Sequence, residues 1–244
     1  MSYNIEFLED NFLVIRPVNK LTDAEYDILK PQVEKAGGHW REKVNGFVFK
    51  LDNSHNESYS EDKEKNQFFP TPYSVVKRMI KLSGLKDCSY DFMPKVLEPS
   101  AGDGAILDAI KRECNPSIYA IEPDDNNISA LQRKGYWMVE QTTFEEWEKS
   151  HRKDKESFNY VIMNPPFSGS RDVIHTMMAL EFVKTGGVLV AVVSENSLYY
   201  KNEHSEKFRE WLKDNNAYIE DIPYGSFRES GTLVDTVIIK ITKG

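Results

Sequence analysis

Val96-Leu97-Glu98-Pro99-Ser100-Ala101-Gly102-Asp103-Gly104-Ala105-Ile106-Leu107 reads as a brief apolar strand, a Gly-x-Gly turn and an apolar-periodic helix extending to Glu113. Glycines in that turn permit positive φ and a close backbone approach by a ligand. The third glycine of the dinucleotide fingerprint is missing, and a pyrophosphate would be repelled by Glu98 and Asp103. The segment is therefore either an ordinary strand-to-helix turn or a ligand-binding turn that tolerates acidic side chains.

Working outward, a second strand, Ile118 to Ile121, ends in Glu122-Pro123-Asp124. An acidic residue at the end of the next parallel strand, roughly 20 residues past a glycine turn, can accept both hydroxyls of a ribose. Asp124 and Asp125 instead suit the cap of a helix near Asn127 to Arg133. A third strand, near Tyr136 to Val139, leads to Thr142-Thr143-Phe144. Upstream, Phe68-Phe69-Pro70-Thr71-Pro72-Tyr73 opens an amphipathic helix bearing Val75, Val76, Met79 and Ile80. Thr71 suits its N-cap and Pro72 its first turn. Downstream, the apolar run Tyr160 to Met163 stops at Asn164-Pro165-Pro166-Phe167. Two prolines cannot continue a ladder and fix the backbone that follows. The result is either a plain Pro-rich turn or a rigid acceptor cluster beside an aromatic ring, suited to a planar amino group.

The order of helix opening, glycine turn, strand-end Glu122 and Asn-Pro-Pro-Phe resembles one permutation class of the DNA adenine-N6 methyltransferases, enzymes of the class I, S-adenosylmethionine-dependent type found in bacteria and phage. The resemblance spans about Phe68 to Lys243. It implies an α/β fold: a Rossmann-like, seven-stranded class I methyltransferase sheet with helices on both faces. Val188 to Val193, preceded by Gly186-Gly187, would be its fifth strand, Phe208 to Lys213 a covering helix, and Tyr218 to Ile222 with Leu233 to Ile241 the closing antiparallel pair. It also implies S-adenosylmethionine as cofactor, held by Thr71, Glu98, Ser100, Gly102, Gly104, Glu122, Pro123, Thr143, Phe144 and Asn164. Glu98 would serve the cationic aminoacyl end, Glu122 the ribose and Thr71 the carboxylate. Thr143 stands where many relatives carry an aspartate for the adenine amine, so only packing by Phe144 is carried over. Asn164, Pro165, Pro166 and Phe167 would be catalytic, orienting the target amine and stacking on the base. Arg171, Lys201, Phe227 and Arg228 are expected on the same edge as substrate contacts. Phe227 is read two ways, as a second wall for a flipped base or as a core residue of the terminal hairpin.

The rest of the chain bounds this reading. Its 244 residues are 40% hydrophobic, enough for one large core and a small appendage. A small strand-helix-strand α+β module over residues 1–52 is expected from strand Phe12 to Arg16, helix Asp23 to Ala36 and strand signals at Trp40 and Gly46 to Phe49. A polar linker follows at 53–67, then the methyltransferase domain at 68–244. No apolar run approaches the ~20 residues of a membrane span, and no leader pattern is present. Cys88 and Cys114 form no metal-like cluster, so free thiols, no metal and a reducing cytoplasmic setting are expected, in a bacterium or a phage host. The net charge of -8 runs against an extensive phosphate footprint. DNA is the expected partner, with an RNA base or a protein glutamine as the alternative substrate and a non-catalytic binding protein as the third reading. No segment reads as a separate target-recognition domain. That leaves short-site specificity, the N-terminal module, a recognition subunit or a homodimer to supply recognition.

Overall fold

The computed structural model describes residues 3–8, 12–35, 38–41, 45–50, 69–85, 93–199, 203–228, 230–232 and 234–244. The expected linker, Cys88, Lys201 and Leu233 lie outside them. The chain divides into two compact units, Met1–Ser60 and Glu61–Gly244.

Among the described residues, the first unit is a four-stranded antiparallel sheet with one helix. Strands β1 (Tyr3–Leu8), β2 (Phe12–Pro17), β3 (Gly38–Arg41) and β4 (Gly46–Lys50) are ordered β1-β2-β4-β3, and α1 spans Asp23–Lys35. Thr22 and Glu25 begin α1 as a reciprocal capping box: each side chain accepts from the other's backbone N–H, at 3.3 and 2.9 Å. Trp40 packs edge-on against both Tyr26 and Phe47, which joins helix to sheet.

Among the described residues, the first element of the second unit is α2 (Tyr73–Ser83), and strand and helix then alternate: β5 (Lys95–Glu98), α3 (Ala105–Glu113), β6 (Ser117–Ile121), α4 (Asp125–Arg133), β7 (Val139–Glu140), α5 (Phe144–Ser150), β8 (Phe158–Met163), α6 (Arg171–Phe182) and β9 (Val183–Ser194). It closes with α7 (Asn196–Tyr199), α8 (Glu203–Asp214), β10 (Tyr218–Asp221) and β11 (Thr236–Thr242). The seven strands are ordered β10-β11-β9-β8-β5-β6-β7. Strands β5 to β9 are mutually parallel, while β11 runs antiparallel to both β9 and β10. This is the class I methyltransferase sheet that the motif order implied.

Both faces are covered, because the central strands are apolar on both sides. Val161, Leu189 and Ile239 contribute to one buried cluster with Phe182 and Phe208; Ile162, Val190 and Ile238 contribute to the other with Val76, Met79 and Ile110. Successive strand residues point to opposite faces, so continuous apolar runs are what a two-sided burial requires.

Three local expectations are corrected. Thr71 does not cap α2: Pro72 occupies the N-cap position with no side-chain cap bond, and its carbonyl accepts from Val76 N–H. Gly186-Gly187 does not precede β9 but lies within it, with Gly186 at φ 75°. A Cβ on Gly187 would fall 2.8 Å from the Asn159 carbonyl, so glycine lets the strand pass close to β8. Cys114, at the C-cap of α3, is disulfide-bonded rather than a free thiol.

Candidate active site

The parallel strands β5, β6 and β8 end on one edge, and the order switches at β5, between β6 and β8. Ligands bind open α/β sheets in the crevice at such a switch point. A cavity of about 240 Å³ opens there, lined by residues from the ends of all three strands and from the segment before α2. Thr71, Ser100, Glu122, Pro123, Thr143, Phe144, Asn164, Pro165, Pro166, Phe167 and Arg171 all reach its wall.

The glycine turn runs along the cavity, but neither Gly102 nor Gly104 is among its wall residues, and Gly104 packs against α4. Gly102 and Gly104 adopt φ of 53° and 88°, and a Cβ on Gly104 would sit 2.7 Å from Leu131 Cδ2. Glu122 holds the turn in place. Its carboxylate accepts from Gly102 N–H at 2.7 Å, from Asp124 N–H at 2.9 Å and from Asn127 Nδ2 at 3.2 Å. Burial raises the Glu122 pKa despite those three donors. Asp124 caps α4 by accepting from the N–H groups of Asn126 and Asn127. The neighbouring acids thus divide their work: Asp124 begins the helix and Glu122 braces the glycine turn, and both reach the cavity wall.

Glu98 lies behind the cavity wall and is fully buried. One of its oxygens accepts from Ser100 N–H at 3.2 Å; the other has no partner. Burial drives its pKa well above the ordinary carboxylate range. An orphaned carboxylate oxygen beneath a ligand cavity fits a cationic amine.

At the end of β8, Asn164 is oriented from the opposite side. Its Nδ2 donates to Thr71 Oγ1 at 2.9 Å and, more weakly, to the Phe69 carbonyl at 3.4 Å. Its Oδ1 is buried and has no partner. Because the donors are spent on the α2 segment, the oxygen is the atom left to accept. Thr71→Val keeps the side-chain shape but removes the hydroxyl that fixes Asn164. We expect kcat to fall by about 5- to 30-fold, equivalent to roughly 1–2 kcal/mol, with cofactor affinity held within about threefold. Steady-state kinetics beside calorimetry checks this. An effect confined to cofactor affinity would return Thr71 to a carboxylate contact.

The other expected residues are placed unevenly. Thr143 N-caps α5 by accepting from Glu146 N–H, and Phe144 is almost wholly buried against Trp147, His175 and Phe182. Arg171 begins α6 and donates to the Ser168 carbonyl at 3.3 Å. Phe227 is 2% exposed and lies in the core, edge-on to Phe167, not on the cavity wall. Arg228 lies away from the wall too, with its guanidinium against Gly225.

Several wall residues escaped the sequence reading. Phe69 stacks toward Phe167, and His175 Nε2 pairs with Glu145 at 2.8 Å. Asp172, fully buried beside the site, accepts from Ser194 N–H at 2.9 Å and Ser197 Oγ at 2.8 Å, tying α6 to the end of β9. The only sequence signal for it was an acidic residue in the first turn of a helix that follows a strand-end motif.

Among the described residues, no group of three or more His, Cys, Asp or Glu could hold a metal, and no helix is long and apolar enough to cross a membrane.

No curated protein matches the chain in sequence. Among solved structures, the methyltransferase subunit of a type I restriction-modification system from Streptococcus thermophilus is similar, with TM-score 0.59 and 17% identity, over 71% of this chain and 44% of that one. A modification subunit of a putative type I restriction enzyme from Vibrio vulnificus gives 0.57 and 17%, over 80% and 52%. A putative RNA methyltransferase from Pyrococcus horikoshii gives 0.52 and 15%, over 78% and 93%. The chain spans about half the length of the two restriction-system subunits. A family model, the methyltransferase small domain, matches residues 85–218, more than half of the sequence. With the sheet order and the strand-end cavity already in place, that match makes the chain a member of the methyltransferase small domain family.

Proposed function

We infer that the protein transfers a methyl group from S-adenosylmethionine to the exocyclic N6 of adenine in DNA. The observation that carries this is Asn164: donors anchored on Thr71 and Phe69, acceptor oxygen buried and unpartnered. Such an oxygen, held beside an accessible ring, suits a hydrogen-rich aromatic amine.

The cofactor, when bound, supplies an electrophilic methyl group and leaves as a neutral thioether. Glu98 and Glu122 are assigned to its amine and ribose, and Phe144 with Thr143 to the region of its adenine. Asn164 Oδ1 accepts from the target amine and turns the nitrogen lone pair toward the methyl group. As the nitrogen gains positive charge, this fixed dipole stabilises it, and it does so more strongly in a site that excludes water. The Pro165 carbonyl is the second proposed acceptor, and Phe167 stacks on the base. No strong base is required at the attacking step, because the proton leaves after the amine has become cationic.

A base within a duplex cannot reach a strand-end cavity without flipping, which costs a few kcal/mol. Type I modification and methyltransferase subunits among the similar structures are in keeping with a DNA substrate and with a separate recognition subunit or second copy. The net charge of -8 favours, of the alternatives, a protein glutamine over any nucleic-acid base, since an acidic balance runs against an extensive phosphate footprint. Labelled methyl transfer to unmodified DNA, RNA and protein, with mass spectrometry of the digested product, separates them. N6-methyladenine from DNA is the expected result. A methylated RNA base or glutamine as sole product would replace this reading.

A further inference from the structure

The chain is acidic as a whole, with a net charge of -8, but its charges are not spread evenly. Helix α2 carries Lys77, Arg78 and Lys81 and no acidic residue. It buries Val75, Val76, Met79 and Ile80 and turns its opposite face to solvent. On that face Tyr73, Lys77 and Lys81 are exposed at i, i+4 and i+8, which makes them one stripe along the helix. At 1.5 Å of rise per residue the stripe is about 12 Å long.

Helix α3 packs beside α2, and both contribute to one buried cluster. The last turn of α3 exposes Lys111 and Arg112. The Arg112 guanidinium lies 6.0 Å from the centre of the Tyr73 ring, so a cation of α3 reaches the head of the stripe. Arg78, beside the stripe, is spent on the carboxylate of Glu220 in β10. Lys81 attracts that carboxylate at longer range, but Arg78 already neutralises it. Among the described residues, Lys77 and Lys81 form no salt bridge. The acids of α3 are Asp108, held by Lys134 and Tyr136, and Glu113 at its last position. The stripe starts at the cavity: Thr71 stands on the cavity wall, and Tyr73 follows two residues later on the outer face.

We propose that this stripe, Tyr73, Lys77 and Lys81 with Arg112 at its head, binds the backbone of the nucleic-acid strand that delivers a base to the cavity. The surface rests on the nucleic-acid reading above and adds the path the strand takes. A positive track with an aromatic ring is what a single strand requires: cations meet phosphates, and a base stacks on the ring. Phosphates recur every 3.4 Å of axis along one strand, so about 12 Å spans roughly three of them. Such a contact needs a few cations in register, not a basic surface, and is compatible with an acidic chain. An acidic protein segment is the competing occupant, but it offers no flat group to the 66% exposed Tyr73 ring.

The test measures binding of the full chain to DNA and RNA, single- and double-stranded, by fluorescence anisotropy over a series of salt concentrations. Each phosphate contact contributes about 0.7–0.9 to the slope of log K against log salt, so Lys77→Gln/Lys81→Gln should make that slope shallower by about 1.4–1.8. Tyr73→Ser should weaken single-strand binding by about 5- to 150-fold with the slope unchanged. Lys149→Gln/Lys153→Gln removes the same charge from exposed positions at and beyond the end of α5, away from its cavity-lining Phe144 and Glu145, and should leave the slope unchanged. Melting temperature and cofactor affinity should match the wild type in all three, because the substituted side chains are exposed. DNA methylation by the wild type with the slope unchanged in Lys77→Gln/Lys81→Gln would overturn the surface alone. A shallower slope on RNA, with methyl transfer to RNA and not to DNA, would keep the surface and replace the DNA assignment. A wild-type protein that neither binds nor methylates a nucleic acid would overturn both. Loss of polyglutamate binding in the lysine variant, with the nucleic-acid slope unchanged, would give the stripe to an acidic protein instead.

Discussion

Asn164→Ala is expected to lose most turnover, about 10²–10³ in kcat, while cofactor affinity stays close to that of the wild type. The side chain makes two bonds in the resting protein, both through Nδ2 and both to the segment before α2. Losing them loosens a part-buried contact but uncovers no charge. What disappears from the reaction is Oδ1, the buried acceptor without a partner. Its attraction for the amine grows as the nitrogen becomes cationic, so the loss falls on the transition state more than on the bound substrate. The prediction is therefore a fall in kcat and kcat/KM together, with KM little changed. Calorimetric titration with S-adenosylmethionine and a thermal melt establish that the variant is folded and loaded. Near-normal turnover in such a protein would show that the acceptor role belongs elsewhere.

Whether a feature could be read from sequence depended on how far away its physical cause lay. The glycine turn was legible because its causes are local: φ of 53° and 88° demand glycine, and α3 begins directly after them. Asp124 was legible as a cap for the same reason. The common edge for Glu122, Asn164 and the turn followed from topology, since parallel strands must all end on one side. Thr71 was read as a cap because that chemistry is also local, yet its hydroxyl is taken by Asn164, 93 positions away. Of the two readings open for Phe227, a second wall or a core residue, the core one holds, while Phe69, for which no role is expected, reaches the wall. Which of two rings meets Phe167 at a cavity, and which from the core, is set by packing among elements distant in the chain. β1 gave no recognised signal, since its pairing with β2 supplies the reason for its extended form. Phe144 was expected against a ligand, but a ring 2% exposed among Trp147 and Phe182 offers little beyond its edge.

Glu98→Gln should separate stability from function at this site. The wild-type carboxylate is fully buried, keeps one oxygen without a partner, and has its pKa raised well above the unfolded value, chiefly by burial. Such a group binds its proton more tightly in the folded state, so folding stability falls as pH rises from the unfolded pKa toward the folded one. Above that window the apo protein carries the full cost of a buried, unpaired charge. The amide is nearly isosteric, can still accept from Ser100 N–H and carries no charge. We therefore expect the apo variant to melt at a higher temperature than the wild type at pH 8, by about 2–4 °C for each kcal/mol recovered. The difference should narrow as the pH is lowered toward the unfolded-state pKa, because the folded wild type then takes up the proton on this carboxyl. Some pH dependence should remain, because burial raises Glu122 and Asp172 as well. Cofactor affinity should move the opposite way. A hydrogen bond to a charged group is worth about 1.5–3 kcal/mol, so S-adenosylmethionine binding should weaken by about 10- to 150-fold. Thermal melts of the apo protein across that pH range, beside calorimetry at pH 8, measure the two effects independently. A Glu98→Gln protein that melts below the wild type at pH 8 and binds the cofactor as tightly would leave the buried carboxylate as a packing element, not the receptor for a cationic amine.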